Sequence, residues 1–385
     1  MLVNRGDRQF DAVIVGAGIL GLWAARQIIC EGGSVCVLDT QAVGNGASGG
    51  ILGALMSHIP DGWNTKKEFQ FQALDMLEDR LAELAKDSGV ATGYRRCGRI
   101  MPLLHEGMKD HVESWLSGAE INWRGRHKME YLENQNAWFA KTGWPQSANA
   151  PFGASLDTFA ARCNPRQVIE ALAVFVRMHG EIREGCPVSS VSPNDNKVTL
   201  ADGSAISGRE IIVANGVDAY RLLHPFMGPA NDDKPLGRGV GGQAVMIEYV
   251  HDDTLPILYQ DGTYIVPHEN NRMAIGSTSH NIALSELGEQ GAEFDPLDMD
   301  FYHRAMRLAP KLKDAPIVEH WAGIRPRNTL KGRGADPWFE KVPGHDNLIA
   351  LIGGFKITFG IAHRAMDVAR GRVEGPRRQK LSWVQ

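Results

Sequence analysis

The sequence has no run of about 18 apolar residues, so nothing in it reads as a membrane-spanning helix. Residues 1–9 are polar up to the first apolar strand and lack the apolar centre of a secretion signal. Cysteine is scarce. Cys30, Cys36, Cys97, Cys163 and Cys186 make an odd number with no Cys-x-x-Cys spacing, which suggests neither a disulfide framework nor a zinc site. The expectation is a cytoplasmic protein with reduced thiols and no metal. Charge of either sign is also short of excess: the formal net charge of −4 argues against nucleic acid as an obligatory partner. The basic cluster formed by Arg370, Arg372, Arg377, Arg378 and Lys380 is expected to be a solvated tail. What the chain does have is 43% hydrophobic content over 385 residues, enough for a large core in one or two domains, and 43 glycines.

Those glycines are concentrated where they carry chemistry. An apolar strand at 12–15 runs into Gly16-Ala17-Gly18-Ile19-Leu20-Gly21, a helix follows over 19–31, and a second strand at 34–38 ends in Asp39. Gly16 permits a tight turn, Gly18 leaves room for a pyrophosphate beside the backbone, and Gly21 lets the helix pack close to the sheet. The phosphates then face the helix N-terminus, and Asp39 stands where a carboxylate takes a ribose hydroxyl. A dinucleotide is therefore the expected ligand. The stretch Val43-Gly44-Asn45-Gly46-Ala47-Ser48-Gly49-Gly50-Ile51-Leu52-Gly53-Ala54 holds five glycines in twelve residues, so backbone approaches something there, and a cofactor's ribityl chain or flavin ring fits.

Farther along, apolar spacing predicts a helix over 68–86, a short helix over 111–116, and one after Asn164-Pro165 that stops at Gly180. Trp115, Trp123, Trp138 and Trp144 read as core more readily than as a pocket. Strands are expected at 181–183 and 187–191, then a hairpin turning at Asp202-Gly203, and then a buried strand at 211–216 ending at Gly216. Antiparallel strands are expected between 241 and 278. Arg325 is a cation set among small and apolar residues in Trp321-Ala322-Gly323-Ile324-Arg325-Pro326-Arg327. Strand 348–352 leads through Gly353-Gly354 into a helix over 358–370, repeating the strand–glycine–helix logic of the N-terminus.

These segments, with Gly242-Gln243, Tyr264-Ile265-Val266-Pro267 and Gly353-Gly354-Phe355-Lys356, resemble the D-amino-acid oxidase (DAO) family of FAD-dependent oxidoreductases, and its glycine oxidase branch in particular. The resemblance implies an α/β fold: a discontinuous Rossmann-like FAD-binding domain of the GR2 type with an inserted α+β substrate domain built on an antiparallel sheet. The expected parts are 1–60, 151–220 and 318–370 for FAD, 61–150 and 221–317 for substrate, and a tail at 371–385. It implies noncovalent FAD touched by Gly16, Gly18, Ile19, Leu20, Gly21, Asp39, Thr40, Gly44, Asn45, Ala47, Ser48, Gly49, Gly50 and Ile51. Val188 and Gly216 would add further contacts, and Gly353, Gly354, Phe355, Lys356, Ile357, Thr358 and Phe359 would lie along the isoalloxazine ring.

By the same resemblance Arg325 pairs with a substrate carboxylate, Tyr264 places its hydroxyl beside it, and Lys356 stands where a second arginine is expected. Gly262 replaces an expected histidine and Gly241 an expected basic residue. The implied reaction is oxidation of the C–N bond of glycine, a D-amino acid or an N-substituted amino acid. Hydride passes to flavin N5, the imine hydrolyses, and oxygen or another acceptor reoxidises the flavin. The alternative is a dehydrogenase of a secondary amine or hydroxy acid, as a subunit of a hetero-oligomer; a homo-oligomer is also compatible.

Overall fold

The computed structural model describes residues 9–228, 235–286, 292–330, 334–354 and 357–376. The first strand, Gln9–Val15, lies at the centre of an eight-stranded sheet, parallel to Val35–Leu38 on one side and to Ala205–Val213 on the other. Glu181–Arg183 extends the parallel set beyond Val35–Leu38, and His345–Ile352 extends it beyond Ala205–Val213. Trp338–Val342 closes that edge in antiparallel fashion, and the Val188–Ser192 and Lys197–Leu200 hairpin pairs with the start of Ala205–Val213. The central strands are apolar on both faces because both are covered. Ala12 and Ile14 pack beneath the helices, whereas Val13 and Val15 belong to a second cluster with Ile211, Leu348 and Tyr220.

Helices cover the first face, and their ends follow the local chemistry. Ile19–Cys30 starts at Gly18, and Pro165–His179 is capped by the Asn164 side chain, which accepts the amides of Arg166 and Gln167. Thr65–Ser88 is capped by Asn64 and stops at Gly89, whose φ of +73° is the left-handed conformation of a helix end. Expectation and structure differ at the last helix. The segment over 358–370 is broken into Thr358–Ile361, a 3₁₀ turn Ala362–Arg364 and Ala365–Ala369. The helix expected at 111–116 is longer, Gly107–Asn122, and the strand expected to reach 216 ends at Val213.

A second, nine-stranded sheet runs His280–Ile282, Gly237–Glu248, Arg272–Gly276, Thr263–His268, Ile257–Gln260, Arg99–Pro102, Ala154–Asp157 and Met129–Leu132, with Ile317–Asn328 also paired to Gly237–Glu248. It is antiparallel except where Ile257–Gln260 meets Arg99–Pro102. Sheet membership corrects two expected boundaries. Ala154–Asp157 and Ile317–Asn328 hydrogen-bond in this sheet, not with the Rossmann-like sheet to which 151–220 and 318–370 were assigned. The physical reason is pairing: Ile317–Asn328 runs beside Gly237–Glu248 for almost its whole length.

One face of the second sheet, carrying Val245, Ile247, Ile265, Met273 and Ile275, buries itself against Phe301, Ala305 and Leu308 of the helix Asp300–Leu308. The opposite face, with Tyr264, Val266 and Ala274, packs on Leu52, Ala54 and Met56, just past the glycine-rich loop. The two sheets thus meet at that loop. Arg370 and Arg372 do not form a solvated tail: they pair with Glu31, Glu210 and Asp367, tying residues 370–372 to the end of the first helix. Arg377, Arg378 and Lys380 lie outside the described residues. All five cysteines are free.

Candidate functional site

Each fingerprint glycine is demanded by a different neighbour. Gly16 turns with a φ of +110°, and a methyl there would lie 2.6 Å from the backbone of Ala214 and Asn215. A methyl on Gly21 would collide with the Gly16 carbonyl and crowd Ile14, so this glycine sets how closely helix and sheet approach. At Gly18 a methyl would meet only the Ser48 hydroxyl, 3.1 Å away, so this glycine leaves open space beside the helix N-terminus. Its N-cap residue Gly18 has no side chain to offer and no acid occupies its first turn, while Ser48 Oγ accepts the Ile19 amide at 3.0 Å. An anion is the natural complement of such an end.

Asp39 closes the cradle. Its Oδ2 accepts the Ala17 amide at 2.7 Å and its Oδ1 the Gln41 amide at 2.9 Å, which leaves each oxygen a lone pair for a hydroxyl. Burial raises its pKa, against the opposing effect of those two amides. Asn215, beyond the Ala205–Val213 strand, has a buried Oδ1 with no partner beside Gly16; the sequence reading passed it over. The loop is tied in by Gly44, whose amide reaches the Ala17 carbonyl at 3.1 Å. At the second turn, Gly353 and Gly354 have φ of +96° and +92°, and Thr358 Oγ1 donates to the Gly353 carbonyl at 3.1 Å.

On the sheet side, register places Arg325, Gly323, Trp321 and Tyr264 on one face: Val240 opposes Arg325, Gly242 opposes Gly323, and Ala244 opposes both Trp321 and Gly276, which in turn opposes Tyr264. This is the face toward the loop, because a methyl on Gly276 would lie 2.9 Å from Leu52. The Arg325 guanidinium lies over Gly242 and donates from Nη2 to the carbonyls of Thr278 at 3.0 Å and Gly241 at 3.3 Å. Burial lowers its pKa while the nearby Tyr264 raises it. Tyr264 is buried, its ring 4.9 Å from that of Tyr259, and burial pushes its hydroxyl pKa up, which favours the neutral phenol. A cation and a phenol hydroxyl on one sheet face, turned toward the glycine-rich loop, suit an anionic small molecule.

The sequence matches the profile of the FAD dependent oxidoreductase family, DAO, over residues 11–367. The chain belongs to the DAO family of FAD-dependent oxidoreductases. It is similar to glycine oxidase from Bacillus licheniformis, 24% identical over 98% of this chain and 96% of that one. Among solved structures it resembles glycine oxidase from Bacillus cereus, with a TM-score of 0.80 at 19% identity over 97% of this chain and 99% of that one. It also resembles iminodiacetate oxidase from Chelativorans sp. BNC1, with a TM-score of 0.77 at 19% identity over 92% of each chain.

As a member of this family the chain is an FAD-dependent oxidoreductase with a Rossmann-like α/β fold. The cradle fits FAD at the adenosine and pyrophosphate end: a glycine with open space, a helix start with no acid in its first turn, an acid at the strand end and an orphaned Asn215 oxygen. The structure gathers Gly16, Gly18, Ile19, Leu20, Gly21, Asp39 and Ser48 at this end, with Gly44 bonded to the same turn. Thr40 is exposed beside it. Val188 opens the hairpin strand and Gly216 follows Asn215 with a φ of +65°. Ile357, Thr358 and Phe359 follow the second turn, whereas Phe355 and Lys356 lie outside the described residues.

The departures from the glycine oxidase pattern acquire reasons. Gly262 is the second residue of a hairpin turn, with a φ of +83°. Gly241 points to the opposite face, where the His280 ring takes the space a side chain would need. Thr278, which holds Arg325 through its carbonyl and Gln243 through its hydroxyl, carried no signal in the sequence.

Proposed function

We propose that this FAD-dependent oxidoreductase oxidises the C–N bond of a small amino acid, with oxygen as the acceptor that regenerates the enzyme. The observation that carries this reading is the half-buried Arg325 guanidinium on the same sheet face as Tyr264, the face that looks onto the cofactor loop. The similarity to glycine oxidases and to an iminodiacetate oxidase supports it, because each of those names an amine carrying a carboxylate.

FAD, when bound, supplies the two-electron acceptor for the substrate's Cα hydride. The chain's own residues bind and orient. Arg325 takes the carboxylate with two N–H donors, giving up its weaker contact to the Gly241 carbonyl. Tyr264 donates its hydroxyl to the same carboxylate, which fixes the direction of the Cα–H bond. Leu52, Met56, Val266 and Ala274 keep the surroundings dry. Lys356 would be a second cation for the substrate or flavin. Gly44, Asn45, Ala47, Gly49, Gly50 and Ile51 would carry the flavin's middle section on backbone.

The test is anaerobic bleaching of the flavin band by glycine, D-amino acids and N-alkyl glycines, followed by air and a peroxide assay. No bleaching sinks the amino-acid reading; bleaching without peroxide favours a dehydrogenase. Arg325→Ala removes a charge-assisted pair worth about 1.5–3 kcal/mol, so KM for the substrate rises about 10- to 150-fold. An unchanged KM places the carboxylate elsewhere.

A further inference from the structure

Beside Arg325, the same sheet face carries an aromatic ring that no step above uses. Gly242 and Gly323 oppose each other across adjacent strands and present a bare floor. A methyl on Gly242 would lie 2.8 Å from Arg325 Cζ, and one on Gly323 would lie 2.7 Å from Trp321 Cη2. Guanidinium and indole therefore stand side by side over one pair of glycines. The indole also reaches the cofactor loop, because a methyl on Gly50 would be 3.5 Å from Trp321 Cζ2.

Past Trp321 on that face, one register step along, is Glu319, opposite Met246. These two residues, with Gly50, Ile51 and His268, line a cavity of about 310 Å³. Arg166 closes its far side, pairing with Glu319 at 2.5 Å and donating to the Gly49 carbonyl at 3.0 Å. Trp321 thus stands between the carboxylate clamp on one side and the Gly50 loop on the other, with the cavity beginning at Gly50 and Glu319.

We propose that Trp321 contacts the substrate and limits its size: with the carboxylate on Arg325, the group next to it along the floor meets the indole, so the site takes α-amino acids with hydrogen or a short alkyl group on nitrogen or Cα. Bulk is rejected by contact with the ring, which stands over Gly323 beside the guanidinium. The two floor glycines are part of the same device, because a side chain on either would displace Arg325 or Trp321.

This inference rests on the amino-acid reading given above, and one experiment separates the two. The purified holoenzyme is assayed with a saturating artificial dye as electron acceptor on glycine, N-methylglycine, N-ethylglycine, N-isopropylglycine, D-alanine and D-valine, as wild type, Trp321→Phe and Trp321→Leu, and kcat/KM is taken for each. The expected result is a fall in wild-type kcat/KM as the substituent grows. In Trp321→Leu the preference for N-isopropylglycine over N-methylglycine rises about 10- to 100-fold, within the range that one or two buried methylenes produce. Trp321→Phe, which keeps a ring and so guards against a folding failure of the leucine variant, shifts the same ratio in the same direction by less. If the wild type oxidises members of the panel but the ratios are the same in all three proteins, Trp321 is only packing and the inference is overturned. If the wild type oxidises none, the amino-acid reading falls and the inference with it.

Discussion

His363 and His268 are buried as neutral imidazoles, and that choice makes them acid-sensitive. Burial, with Arg364 and Arg80 nearby, lowers the His363 pKa from 6.5 to about 3. Burial lowers that of His268 to about 4, although its Nε2 donates to the Leu52 carbonyl. The unfolded chain therefore takes up these protons first as pH falls below 6.5. Stability is complete above that value and declines toward pH 4 by up to about 1.4 kcal/mol per pH unit per histidine. Thermal unfolding from pH 7.5 to 4.5 should show this decline, and His363→Gln should flatten it whatever its own starting Tm. Parallel curves for the two proteins would refute the assignment. Neither histidine could be read from sequence as a titrating core residue, since a lone histidine carries no periodic or capping signal. Arg325 could be read as a cation in an apolar setting, but the Thr278 carbonyl that holds it could not.

At the scale of elements, local chemistry was readable wherever it is complete within a few residues. Asn164 and Pro165 mark a helix start because a cap and a fixed φ act on the next turn alone. The broken helix after Gly354 was not readable, because its periodicity continues while tertiary contacts set the breaks: Gly360 lies against Leu74 of the Thr65–Ser88 helix, and Arg364 reaches Met76. The fingerprint offers a test in which function and stability part. Gly18→Ala meets only the Ser48 hydroxyl, so the apoprotein should keep its Tm while FAD binds at least about 10-fold more weakly, the loss of roughly one hydrogen bond to a charged oxygen. Gly21→Ala should lower both, because its methyl collides with the Gly16 carbonyl. Apoprotein thermal shifts and flavin fluorescence titrations read the two effects. Equal Tm losses in both variants would contradict the separate roles.

Across the whole molecule, Asn328 joins parts that lie far apart in sequence. Its Oδ1 accepts the Tyr220 hydroxyl at 2.8 Å and its Nδ2 donates to the Asp336 carbonyl at 2.6 Å, while Asp336 accepts Lys66 at 2.8 Å. The chain of bonds runs from the Arg325 strand to the Thr65–Ser88 helix, and Asn328 sits 3.2 Å from where a Gly353 side chain would begin. Asn328→Leu leaves two buried polar groups without partners, costing about 1–3 kcal/mol, and should release FAD at the temperature where the fold melts. A wild-type Tm would sink this role. By itself the sequence determined the dinucleotide turn, the capped helices, the alternating strands and the family, since each of these is written in neighbouring residues or in their order along the chain. Only the tertiary structure decided which sheet receives 154–157 and 317–328, that Gly242 and Gly323 form one floor under Arg325 and Trp321, and that Asn215 and Thr278 belong to the site. The reason is that strand pairing is a choice between distant segments, made by the sum of buried area and satisfied hydrogen bonds, and no short stretch of chain carries that sum.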